Sequence, residues 1–131
     1  MKIFHYINFI LIFLLLIGIC VIEDVMVSDS LYQIQKQCFM IERIVNEKEN
    51  LKNMDLVLAV DNLEYKWFED ESKMCYLVNH KSIQEIGQEI SKIKLYIAED
   101  NINDFLASID SIKFYCHSYL HFMGASVHNV L

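Results

Sequence analysis

The sequence predicts an all-α protein, with one N-terminal transmembrane helix followed by an antiparallel up-down bundle of about four helices. Three observations carry this expectation. The 131 residues include no proline and only three glycines, so the tight turns that sheets require have almost nothing to be built from. Residues 3–22 are apolar apart from His5, Asn8 and Gly18. Beyond them, apolar residues recur at alternating steps of three and four, which places them on one helix face.

The first element is the apolar segment. Twenty helical residues rise roughly 30 Å, the thickness of a bilayer's hydrocarbon core. About fourteen strongly apolar residues give an insertion free energy on the order of −4 to −8 kcal/mol. Lys2 precedes the span, while Glu23 and Asp24 follow it. Positive charge stays on the cytoplasmic side, so the remainder is expected outside the cytoplasm. The chain thus divides into a signal-anchor over 1–22 and an extracytoplasmic bundle over 23–131. A cleaved secretory signal is the alternative, but Ile17–Ile22 offers only Gly18 as a small residue for a cleavage site. Lipidation at Cys20 is disfavoured by Ile19, where a small residue is wanted.

Four apolar stripes follow. The first runs through Leu31, Ile34, Cys38, Ile41 and Val45, and no breaker separates it from the span. The second runs through Leu56, Val60, Leu63 and Trp67 to Met74 and Leu77. Asp70 interrupts it, and the row Phe68, Cys75 and Val78 suggests that its buried face drifts. The third is Ile83, Ile86, Ile90, Ile93 and Ile97. The fourth is Ile102, Phe105, Ile109, Ile112, Cys116, Tyr119 and Met123. Ser82 stands three residues before Glu85, the spacing of a capping box, and Asn101–Asp104 and Asn53–Asp55 supply similar caps. Short links near Asn50, Asn79–Lys81 and Asp100 make successive helices antiparallel neighbours.

The segment LEYKW at Leu63–Trp67, the stretch from Asn79 to Phe114 and the closing HNVL at His128–Leu131 resemble a family of small uncharacterised proteins of low-GC Gram-positive bacteria, catalogued as a domain of unknown function. The short anchor is similar as well. The resemblance implies a membrane-anchored helical domain and brings no activity that could be transferred to residues here. The domain cysteines and the histidine-rich end are not features of that pattern.

After the span, ten basic residues stand against eighteen acidic ones, about −8. An acidic domain repels phosphate backbones, so no nucleic-acid partner is expected. His117 and His121 are four apart and could share a metal ion, with Cys116, His80 or a carboxylate as third ligand. The competing reading is a boundary row flanking the apolar seam. No Glu follows His117 at metalloprotease spacing. Cys38, Cys75 and Cys116 lie on or beside the seams, where cysteine behaves as a small hydrophobe. Buried free thiols are expected, with one bridge plus a free thiol as the alternative.

Trp67, Phe68, Glu69, Asp70 and Glu71 form a candidate acidic docking patch with aromatic anchors. Against it stands the ordinary reading of a solvated helix face with its aromatics turned inward. Phe114, Tyr115 and Phe122 would suit a second contact surface. Ser108 and Ser111 have no strained turn or oxyanion site to activate them. The sequence therefore reads as a non-enzymatic, membrane-tethered interaction or accessory module without a cofactor. Its partner would be a membrane or envelope protein or another copy. The alternatives are a metal- or ligand-binding sensor built on His117 and His121, and a secreted helical effector or inhibitor.

Overall fold

The computed structural model describes the backbone of residues 2–74 and 80–128 and the side chains of residues 5–74, 81 and 83–121. Four helices account for it: α1 over Lys2–Lys48, α2 over Met54–Met74, α3 over His80–Glu99 and α4 over Ile102–His128. Among the described residues there is no strand. Helix α1 packs on α2 and α4, and α3 packs on the same two, so the four helices stand at the corners of a square. The first 47-residue helix serves two roles without a break. Its side chains from His5 to Ile22 are all exposed, and burial begins at Val27. This N-terminal part is long and apolar enough to cross a membrane.

The stripes form the core. Leu31, Ile34, Cys38, Ile41 and Val45 of α1 are buried together with Leu56, Val60, Leu63 and Trp67 of α2. Ile83, Ile86, Ile90 and Ile93 of α3 join them, as do Phe105, Ile109, Ile112 and Cys116 of α4. Ile97, Ile102 and Tyr119 are half-buried at the edges of this cluster. Leu51, in the link between α1 and α2, is fully buried and plugs the distal end.

Two features depart from the sequence pattern. The buried face of α2 does not drift after Trp67: Asp70 stays in the seam at 3% exposure, and Phe68 points outward. Burial is tolerated because two lysines one helical turn away reach the carboxylate, Lys66 at 2.8 Å and Lys73 at 3.8 Å. The contact holds Lys66 above the ordinary lysine range, with Asp70 the chief cause. The second departure is at α3, where Ser82 is already inside the helix instead of capping it. Cys75, Leu77 and Val78, and the side chains of Ser82, Phe122, Met123 and His128, lie outside the described residues.

The distal links are tightly specified. Asn101 caps α4, accepting from the Asp104 amide at 3.2 Å while donating to the Asp104 carboxylate at 2.6 Å. Asn53 Oδ1 accepts from the Asp55 amide at 2.8 Å at the start of α2. Helix α3 ends in a Schellman motif: the Asn101 amide donates to Tyr96 O at 2.9 Å and the Asp100 amide to Ile97 O at 3.3 Å. Helix α1 ends with the Glu49 amide on Val45 O at 2.8 Å. Glu49 and Asp100 occupy the left-handed region, with φ 47° and 56°. A side chain there carries a steric cost of about 1–2 kcal/mol. Glu49→Gly is therefore expected to raise stability by about 0.5–1 kcal/mol in urea unfolding. Asp100→Gly should gain less, because it also removes the ion pair with Lys52 at 3.7 Å.

Candidate functional site

The docking patch expected around Trp67 divides along the helix. Trp67 and Asp70 face the core, Phe68 and Glu69 face solvent, and Glu71 is half-buried. Beside them, α2 and α3 leave a groove of roughly 350 Å³. Trp67 and Gly87 form its floor, Phe68 and Glu71 one wall, and Gln84 and Gln88 the other. Its size suits one inserted side chain, at the low end of ligand pockets.

Gly87 creates this groove. It stands mid-helix, where glycine costs about 1 kcal/mol relative to alanine. A Cβ at that position would lie 3.1 Å from the indole Nε1 of Trp67. The missing side chain thus lets the largest core residue reach α3. Gly87→Val should displace the indole and destabilise by about 1–3 kcal/mol. Trp67 fluorescence and urea midpoints measure this together, and an unshifted emission maximum would contradict the contact.

The histidine pair is also placed. The rings of His117 and His121 stack on the exposed side of α4, 14° from parallel, with centroids 6.4 Å apart. Cys116 is fully buried in the core, apart from this exposed pair. Burial pushes its thiol up to about 12, which keeps it protonated and a poor metal ligand. The His80 side chain lies outside the described residues. Among the described residues, no three His, Cys, Asp or Glu side chains gather at metal-binding distance.

Cys38 and Cys116 are free and buried on the facing seams of α1 and α4. Burial also pushes the Cys38 thiol well above its usual range, and the nearby Cys116 adds to this. Phe114 is exposed, with its ring edge-on to that of half-buried Tyr115 at 5.9 Å.

Polar junctions between helices also escaped sequence reasoning, two of them on α4. The ammonium of Lys113, only 14% exposed, contacts Glu42 and Asp110 at 2.7 Å each. It also sits 4.9 Å from the centre of the Phe39 ring, and Gln35 Nε2 donates to the Lys113 carbonyl at 3.3 Å. This junction ties α1 to α4. Ser108, at 4% exposure, donates to Glu89 at 2.8 Å and ties α3 to α4. Asp110 and Lys113 are three apart and visible as a helical pair, but Glu42 lies 71 positions away and had no signal.

Comparison with curated proteins and with solved structures finds no match. Comparison with known families matches residues 25–130, from just past the apolar segment almost to the C-terminus, to Domain of unknown function (DUF4363). The bundle and its helices thus coincide with a recognised unit, and the chain belongs to the DUF4363 family.

Proposed function

We propose that the protein is a non-enzymatic accessory module, tethered to a membrane by the N-terminal part of α1 and acting outside the cytoplasm through its helical bundle. One observation carries the reading. A single helix passes from a wholly exposed apolar stretch into the buried seam of the bundle, with the change at Val27. The eighteen positions from His5 to Ile22, apolar but for His5, Asn8 and Gly18, are all exposed, which is costly in water and favourable in lipid. The continuous helix would hold the bundle rigidly at the bilayer surface. Lys2 before the span and Glu23–Asp24 after it favour the extracytoplasmic side. In this reading residues 1–22 are the anchor and residues 23–131 the working part. The chemistry available is recognition: the Trp67–Gly87 groove, the exposed Phe68–Glu69 edge and outward-facing aromatics.

Affinity recovery of the full-length protein from membranes crosslinked in living cells tests the reading. A reproducible membrane or envelope partner, or a second copy, is the expected result. Recovery of the protein alone would contradict it.

The stacked histidine pair motivates a second reading, a metal-responsive sensor. Zinc titration should then give stoichiometric heat at sub-micromolar affinity, lost in His117→Ala/His121→Ala with helicity retained. Absence of that heat would exclude the sensor.

A further inference from the structure

Two helices of the bundle carry a second apolar stripe opposite the core. On α1 it consists of Val25, Tyr32 and Phe39, each seven residues from the next, with Met40 beside Phe39. On α2 it consists of Met54, Leu58, Tyr65 and Phe68, stepping by four, by seven across Asp61 and by three. All but Met40 are more than half exposed. A helix that is apolar on two opposite faces has one face more than a four-helix core needs.

The two stripes differ in charge. The α1 stripe is interleaved with Lys36 and Arg43, and these residues line a shallow depression with Phe39, Met40, Gln33 and Gln37. Within it, Gln37 Oε1 is buried without a hydrogen-bond partner among the described residues. The α2 stripe is interleaved with Asp61 and Glu69, which are acidic and exposed; Asp61 also pairs with Lys94 of α3 at 3.0 Å, so Glu69 carries most of the stripe's negative charge. Lys66 and Lys73 lie on another side of α2, drawn to Asp70.

We infer that the α1 stripe of one copy docks on the α2 stripe of a second copy standing beside it in the same membrane. This rests on the membrane-tethered reading, because tethering gives all copies one orientation and one height. Counted from the link at 49–53, with equal rise per residue along both helices, Phe39 and Tyr65 stand within roughly 3 Å of the same height. In that antiparallel register Arg43 meets Asp61, Lys36 meets the Phe68–Glu69 edge, and Tyr32 meets Ser72.

The symmetric alternatives are disfavoured. Pairing α1 with α1 in parallel sets Lys36 and Arg43 against their own copies, and pairing α2 with α2 does the same to Asp61 and Glu69. The contact is therefore heterologous, so each copy offers one face of each kind and the copies form a ring or row in the membrane plane.

A charge swap tests this with the full chain. Two differently tagged copies are expressed together in one bacterium, crosslinked in the cell with formaldehyde, and the second tag is quantified on recovery of the first. Lys36→Glu alone and Glu69→Lys alone should each reduce co-recovery about tenfold, and Lys36→Glu/Glu69→Lys should restore it. Far-UV circular dichroism of the purified variants checks that all fold; both positions are exposed. Three results would overturn the inference. These are no co-recovery of wild-type copies, loss in only one single variant, or no restoration in the double variant. Carbonate extraction of the same membranes separates the two readings. Protein retained in the membrane without pairing contradicts the docking alone, and protein washed off contradicts tethering and docking together.

Discussion

Trp67→Ala is expected to destabilise the bundle by about 3–5 kcal/mol, the range for deleting a large buried aromatic. The indole is 1% exposed, and its neighbours cannot fill the space it would leave. On the α3 side the nearest position is Gly87, which has no side chain to move inward. Ile83, Ile86 and Ile90 of the same helix are already committed to the core. A domain of this size holds on the order of 5–15 kcal/mol in total. The substitution should therefore lower the urea midpoint, followed by circular dichroism, by at least about a fifth of the wild-type value. Trp67→Phe should cost markedly less. A loss below about 1 kcal/mol for the alanine variant would mean that the indole does not bridge α2 and α3.

The second large effect is alkaline lability. Cys38 and Cys116 are both held protonated by burial in the folded state, Cys116 up to about 12. In the unfolded chain each thiol ionises near its ordinary pKa of about 8.5. Between those values the folded state binds more protons than the unfolded state, so stability falls as pH rises. Each thiol contributes about 1.4 kcal/mol per pH unit in that window. Two thiols between pH 9 and 11 together remove on the order of 5 kcal/mol.

Lys113 acts in the same direction at a higher pH. Burial lowers its pKa, but the hydrogen bonds to Asp110 and Glu42 outweigh this and the net shift is upward. The stability it confers is present below its unfolded pKa of about 10.4 and is lost as pH rises through the folded value. Urea midpoints at pH 7, 9 and 10.5 should decline steeply above 9. Cys38→Ala/Cys116→Ala should flatten the slope between 9 and 10.4 while lowering the baseline. A wild-type profile that stays flat to pH 10.5 would show that the thiols are not buried in the folded state.

The sequence made the helical frame readable because the seams are long and regular. Every step from Leu31 to Val45 and from Ile83 to Ile93 lands in the core. The Asn101–Asp104 cap was legible for a similar reason, since both partners lie within one turn. Asp70 misled the reading because a carboxylate breaks an apolar pattern, whereas its burial depends on where two lysines reach. Gly87 carries no signal in the sequence, and only the position of Trp67 across the gap gives it a purpose. The Lys113 junction and the Trp67 groove unite residues from different helices, so spacing along one chain carries no trace of them. The five residues of the expected docking patch are consecutive in sequence, yet a helix turns 100° per residue and distributes them over three sides.

In the proposed function, one helix crosses a membrane and presents the bundle on the far side. Protease treatment of sealed spheroplasts of a bacterium expressing the full chain with a C-terminal tag tests this most directly. The account predicts that external protease removes the tag while a cytoplasmic control protein stays intact. It also predicts that a short fragment from α1 remains in the carbonate-washed membrane. A tag protected in sealed spheroplasts and lost only on lysis, or a chain recovered wholly in the soluble fraction, would contradict it.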